Sequence, residues 1–312
     1  MRADFVNEVA RVLRTGRRDL VEKDIILHEI LTDLSQDSFF SDSFLFKGGT
    51  CLIKAYFGYV RFSEDIDFTW NDQAAFGKLS GKKIRSKLSK IIDQAGKVFE
   101  AIAKKRGLDF KCVKSNTDYV ELGGSDKTCT FKIWYDSETL KRRTFLKVQI
   151  NFVEQLYFSA KKGHLIGLLT GKHGDLDSLF PREASEYGQK IPFAVYDIRE
   201  ILCEKVRALL TREGTKARDF VDVYLIWKKL GIKPEDEEKH IVGKIEFSLK
   251  LYAKYREHLK QKVALLNSGK LFEWGAEKEL LLSDIDVEDF YKFLAGFEIL
   301  LKKTVAAVGY YS

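Results

Sequence analysis

The sequence predicts an α/β protein, with a mixed-sheet N-terminal lobe over residues 1–195 and a helical C-terminal lobe over residues 196–312. Three observations carry this. Short apolar runs alternating with period two fall before residue 153, separated by stretches of helical period. From Gly231 to Ser312 the apolar spacing is helical throughout. Only three prolines (Pro181, Pro192, Pro234) and no Ser/Gly tract interrupt the chain, so a long linker is not expected and two lobes should pack closely.

In chain order, Phe5, Val9, Val12 and Leu13 and then Ile25, Ile26, Ile30 and Leu31 recur at helical spacing. Arg11, Arg14, Arg17 and Arg18 cluster between them, as a solvated face or a nucleic-acid contact. The stretch Ser43–Trp70 reads as a strand, a turn, a helix and a second strand. Phe44–Phe46 supplies the first strand, and Gly48-Gly49 permits positive φ and close backbone approach where a helix begins near Thr50. Such a helix start attracts phosphate through unpaired N–H groups and the positive end of its dipole, and the Thr50 hydroxyl offers one more donor.

Asp65-Ile66-Asp67-Phe68 then alternates, so the two carboxylates share one face of a strand and the apolar pair the other. Paired carboxylates beside a phosphate cradle suit Mg²⁺, a hard cation held jointly by acids and substrate phosphates. An isolated Asp-X-Asp is most often a solvated strand edge or a turn. The coupling of turn, helix and acids is what points to chemistry.

Ala74–Arg106 predicts an exposed helix pair, lysine-rich over Lys82–Lys90 and suited to an RNA backbone. Strands are expected at Phe110–Val113, Tyr119–Leu122 and Thr128–Tyr135, as a meander with a turn at Gly123-Gly124-Ser125-Asp126. Phe145–Phe152 follows, with Leu146, Val148, Ile150 and Phe152 inward and Lys147, Gln149 and Asn151 outward. Between Leu165 and Lys190, GLLTGKH has the wrong glycine spacing for a P-loop and reads as a connection.

In Asp197–Trp227, Asp197 caps a helix whose apolar stripe is Ile198, Ile201, Leu202, Leu209 and Leu210. Lys205 lies on that stripe, so its ammonium must enter the core, snorkel, or meet a buried anion. Across a Glu213-Gly214-Thr215 turn, Asp219 and Asp222 share one face near the start of the next helix. Asp219 there is also a natural partner of the helix dipole, Arg212 or Arg218. Farther on, Phe247, Leu251, Tyr255 and Leu259 form one apolar stripe, with Lys250, Lys254, Lys260 and Lys262 on its exposed side, as a solvated face or an RNA contact. Phe290, Phe293, Leu294, Phe297 and Leu301 form another.

Bulk properties narrow the classes. With 312 residues, 45% of them hydrophobic, the chain can bury a large core. No apolar run approaches a membrane span of about 20 residues, and the N-terminus lacks the pattern of a signal peptide, so a cytoplasmic protein is expected. Four scattered cysteines and five histidines show no zinc-ligand spacing. The net charge of +7 is compatible with a polyanionic partner.

The strand, GGT turn, helix and Asp-Ile-Asp strand, with Arg61 and Ser63 ahead of the acids, resemble the opening motif of the nucleotidyltransferase superfamily. More narrowly, KGGT with RFSEDIDF, followed in order by EKVRALLTR and KARDFVD, is similar to the AbiEii/AbiGii-type, MenT-like nucleotidyltransferase toxins. The likeness spans about Phe44–Leu230 in three blocks. It implies a bilobed nucleotidyltransferase fold, an active site between the lobes, and nucleotide transfer from an NTP with release of pyrophosphate.

On this likeness Asp65 and Asp67 hold Mg²⁺, and Gly48, Gly49 and Thr50 cradle the phosphates. Lys205 pairs with the triphosphate, and Asp219 orients Lys205 or the substrate, with Arg207, Arg218 and Asp222 in support. The acceptor implied is a tRNA 3′ end, and the role that of a toxin with a cognate antitoxin. One departure stands out. The family's third acid belongs on the strand Phe145–Phe152, where the outward positions are Gln149 and Asn151. The base therefore stays open. So do transfer to a protein hydroxyl and nucleotide binding without catalysis.

Overall fold

Among the described residues, alternation and helical spacing resolve into nineteen labelled elements. In the computed structural model, which describes residues 2–76, 81–123, 127–273, 281–282 and 285–309, the chain opens with helices α1 (Arg2–Val12), α2 (Arg18–Gln36) and α3 (Ser38–Ser43). The Asp37 side chain accepts from the Phe40 N–H at 2.9 Å and so caps α3. Strand β1 (Phe44–Lys47) runs into α4 (Gly48–Cys51), which continues as a π-helical stretch Leu52–Phe57. Then come β2 (Asp65–Trp70), a 3₁₀ turn Gln73–Phe76, α5 (Gly81–Arg106), β3 (Val120–Gly123), β4 (Thr128–Ser137), β5 (Arg142–Asn151) and β6 (Lys161–Leu165). Helices α6 (Gly174–Leu179) and α7 (Pro181–Tyr187) precede β7 (Ile191–Val195). The remaining helices are α8 (Ile198–Thr211), α9 (Ala217–Leu230), α10 (Glu238–Leu251), α11 (Lys254–Asn267) and α12 (Val287–Ala307).

The chain divides into two units, Met1–Glu154 with Ala160–Tyr196, and Gln155–Ser159 with Asp197–Ser312. The first holds one seven-stranded sheet in the order β3-β4-β5-β2-β1-β7-β6. Pairing is mixed, because β1 is antiparallel to β2 but parallel to β7, and β2 is parallel to β5. Phe46 opposes Phe68, Ile66 opposes Val148 and Phe68 opposes Ile150, so one face of the sheet is continuously apolar. Phe40 of α3 fastens helices to that face. Its ring lies 4.4 Å from Phe44, 4.8 Å from Phe68 and 5.5 Å from Phe99 of α5, which in turn lies 4.8 Å from Phe131 of β4. The opposite face carries Asp65, Asp67 and Thr69 on β2 beside Lys147, Gln149 and Asn151 on β5.

In the second unit α8 packs on α9, α10 and α11, and α12 closes over α9, α10 and α11. Tyr224 and Trp227 of α9 meet Phe290 and Phe293 of α12 edge-on or tilted, at 4.9 to 5.5 Å. The segment Gln155–Ser159 is stitched on by Glu200. One oxygen of this carboxylate accepts from the N–H groups of Tyr157 and Phe158, both at 2.9 Å, and the other lies 2.6 Å from Lys244. The Lys244 ammonium also donates to the Gln155 carbonyl at 2.9 Å.

Strands β3 and β4 pair as the last two strands of the expected meander, although Gly124, Ser125 and Asp126 of their predicted turn lie outside the described residues. Several expectations are corrected. Residues 81–106 form one helix rather than a pair, because nothing in the run breaks its period. Phe110–Val113 is not a strand; the residue just before it, Asp109, bridges to Trp134. The passage after Leu165 contains α6 and α7, the latter started by Pro181 at its first position, and leads into the unforeseen strand β7. The stripe Phe247–Leu259 is cut at Tyr252 and Ala253 between α10 and α11. Lys262 is buried, not solvated, because its ammonium donates to the Gly214 carbonyl and Thr215 hydroxyl at 2.5 and 2.8 Å, closing the turn between α8 and α9.

Candidate active site

The acids of β2 stand where their alternation puts them. Ile66 and Phe68 are fully buried, and Asp65 and Asp67 are half-buried on the polar face. At the end of β1 the chain turns through Gly48 with φ +77°, a conformation that costs an L side chain about 1–2 kcal/mol. A Cβ on Gly48 would collide with the Asp67 carboxylate, and one on Gly49 would meet the Arg61 guanidinium at 2.7 Å. The two glycines therefore do more than permit a turn. They let the backbone lie against an acid on one side and a buried arginine on the other. Arg61 is itself held by its Nη1, which donates to the Phe62 carbonyl at 2.8 Å.

Thr50 is buried, and its hydroxyl donates to the Asp65 backbone carbonyl while lying 2.7 Å from the Ser63 hydroxyl. That bond fixes the start of β2. For an anion, α4 offers its backbone, since the first N–H groups of a helix have no partner within it. The following π-helical stretch is anchored from beneath. Lys54 lies 3.1 Å from Asp24, and Tyr59 and Tyr187 donate to the same carboxylate at 2.7 and 2.5 Å. Burial lowers the Lys54 pKa, and the attraction of Asp24 opposes that.

Across the sheet, Asp67 is paired with Lys47 on β1 and Gln149 on β5. Gln149 donates to Asn151 at 3.1 Å, so β5 presents amides in this row. Among the described residues no group of three or more His, Cys, Asp or Glu side chains is arranged to hold a metal ion. Two half-buried carboxylates on one face suit a cation that completes its shell with substrate oxygens, as Mg²⁺ does. They do not suit zinc, which in structural sites takes four protein ligands.

In the second unit Asp197 caps α8, accepting from the Arg199 N–H at 2.9 Å. The Lys205 ammonium meets buried anions, 2.7 Å from Asp222 and 3.1 Å from Asp219, with only 8% of the residue exposed. Arg212 reaches the other Asp219 oxygen at 2.7 Å. Burial pushes the Asp219 pKa up, but Lys205 and Arg212 outweigh that and hold it below its ordinary 3.8. Three residues of the sites went unrecognised in the sequence. Lys47 was visible as a charge ending an apolar strand. Glu154, 2.9 Å from Lys47, had no local signal, and nothing marked Asp24 as the anchor of Lys54.

Among solved structures, the chain is similar to JHP933 from Helicobacter pylori, at 16% identity and TM-score 0.42, covering 93% of this chain and 94% of that one. It is also similar to an H. pylori protein described as a candidate nucleotidyltransferase, at 16% identity and TM-score 0.43, covering 94% and 98%. No curated protein matches the sequence significantly. The family model described as "Nucleotidyl transferase AbiEii toxin, Type IV TA system" matches residues 29–300, which include the glycine turn, both acids of β2, Lys205 and Asp219. The chain therefore belongs to the AbiEii nucleotidyltransferase toxin family of type IV toxin–antitoxin systems.

Proposed function

We propose that this nucleotidyltransferase moves a nucleotide from an NTP to the 3′ end of a tRNA, and that growth arrest follows from the altered tRNA. The observation that carries the reading is that the Asp67 carboxylate fills the space a Cβ on Gly48 would need, which unites an acid pair with a glycine turn at the head of a helix. Asp65 and Asp67 would hold Mg²⁺, which when bound supplies positive charge to the α-phosphate and the departing pyrophosphate. The backbone of Gly48, Gly49 and Thr50 receives phosphate oxygens. Lys205 pairs with the triphosphate, and Asp219 and Asp222 fix the direction of its ammonium. The acceptor hydroxyl oxygen attacks the α-phosphorus, the bond to pyrophosphate breaks, and the hydroxyl proton leaves to a base. A cognate antitoxin is the partner implied by the family.

Incubation of the protein with each α-labelled NTP, total tRNA and protein extract, with and without Mg²⁺, tests this reading. Label in RNA lengthened by one or a few nucleotides is expected, only with Mg²⁺ present. Label confined to protein would replace the tRNA assignment with transfer to a Ser, Thr or Tyr hydroxyl. Gln149, directly across from Asp67, favours a second reading, nucleotide binding without transfer. That reading predicts NTP retention with no release of pyrophosphate.

A further inference from the structure

Lys47 immediately precedes Gly48-Gly49 and is only 4% exposed. Its cross-strand partner is Asp67, whose partner on the other side is Gln149, so Lys47, Asp67 and Gln149 form one row on the polar face of the sheet. The Lys47 ammonium lies 2.9 Å from Glu154 and 5.5 Å from the centre of the Tyr196 ring. Glu154 is held in turn. The same oxygen accepts from the Asn151 amide at 2.8 Å, and the Glu154 N–H donates to the Gln73 side chain at 2.8 Å.

A buried ion pair is poor evidence for stability, because removing two charges from water offsets most of their attraction. This one stands beside the acid that borders the glycine turn, where an ammonium has a further use. We propose that Lys47 contacts the polyphosphate of the nucleotide, and that Glu154 is a positioning residue holding the ammonium within reach of it. The inference rests on the reading that Asp67 faces the nucleotide. An ammonium has three donors, so it can keep a bond to Glu154 while turning another to a phosphate oxygen. The amides of Gln149 and Asn151 acquire a reason on this account. A carboxylate at 149 would add a further negative charge around Lys47 and compete with phosphate for it.

Calorimetric titration of the full chain with magnesium tripolyphosphate tests this, since that probe carries the polyphosphate without any base. Lys47→Met is expected to weaken binding about 10-fold or more, and Glu154→Gln by a smaller factor. The double variant Lys47→Met/Glu154→Gln, which removes both charges of the pair, is expected to bind as weakly as Lys47→Met. Recovery of wild-type affinity in the double variant would show Lys47 to be only the counter-ion of Glu154 and would overturn the proposal. Unchanged binding by Glu154→Gln would remove the positioning role. If Asp67→Asn weakens binding while Lys47→Met does not, the Lys47 assignment falls and the nucleotide site stands. If wild type takes up no tripolyphosphate, or Asp67→Asn titrates like wild type, both fall.

Discussion

The Asp67 carboxylate lies so close to the backbone of Gly48 that the space a Cβ would need is already filled by its oxygen. Gly48 also sits at φ +77°, so alanine there meets both conformational strain and a clash. Gly48→Ala should cost about 1–2 kcal/mol of stability from the backbone alone. Displacing Asp67 should reduce nucleotide transfer by about 100-fold. Urea unfolding and the labelled-NTP assay report the two effects separately, and full activity in a folded variant would remove Asp67 from the site.

Lys205 presents the opposite problem, because it is embedded among anions. Lys205→Met leaves Asp219 and Asp222 buried with their central cation gone, and should destabilise the protein by about 3–5 kcal/mol. Thermal unfolding must therefore accompany any activity measurement. A loss of transfer with an unchanged melting temperature would assign Lys205 to the substrate and contradict the stability estimate.

Asp219 gives a pH signature of known sign. Its folded pKa is held below 3.8, so its stabilising contribution is complete above that value and disappears as pH falls through the lower folded value. The stability gap between wild type and Asp219→Asn should accordingly narrow in strong acid, as followed by denaturant titration.

His28 acts over a milder range. Burial, reinforced by the Lys54 charge, takes its pKa from 6.5 to about 2, so between those values the unfolded chain binds a proton that the folded one refuses. Stability should fall as pH drops below 6.5, by about 1.4 kcal/mol per pH unit once the unfolded imidazole is protonated. His28→Phe, whose ring can occupy the edge-on position 5.2 Å from Tyr187, should flatten that slope. An identical slope in the variant would assign the acid sensitivity to other groups.

Phe40 joins α3, the sheet and α5 through three ring contacts. Phe40→Ala should cost about 3–5 kcal/mol in urea unfolding, without changing the affinity of the folded protein for nucleotide, since the ring lies on the face opposite Asp67.

What could be read from sequence follows a physical division. Alternation in Asp65–Phe68 and Phe145–Phe152 announced both the strands and their faces, because period two is a local property. Lys205 was conspicuous as a charge on an apolar stripe, and of the outcomes open to it the ammonium meets buried anions. The partner of Lys47 could not be read, since 107 residues separate it from Glu154 and only the sheet order brings them together. The bond that the Thr50 hydroxyl makes was illegible for a related reason. Its acceptor, the Asp65 carbonyl, is a backbone group and leaves no mark in residue types. The burial of Lys262 was equally illegible, because periodicity locates a residue on a helix but says nothing of the turn between α8 and α9 that its ammonium closes.

The Gln155–Ser159 excursion limits how this polypeptide can be dissected. Because those five residues belong with the helices that begin at Asp197, the backbone passes from one unit to the other at three points, after Glu154, Ser159 and Tyr196. A fragment starting at Asp197 would carry Glu200 and Lys244 without the two N–H donors and the carbonyl that occupy them. Separating the helical half cleanly calls for a grafted copy of the pentapeptide, and an unaided cut at residue 196 yields a half deprived of its own clasp.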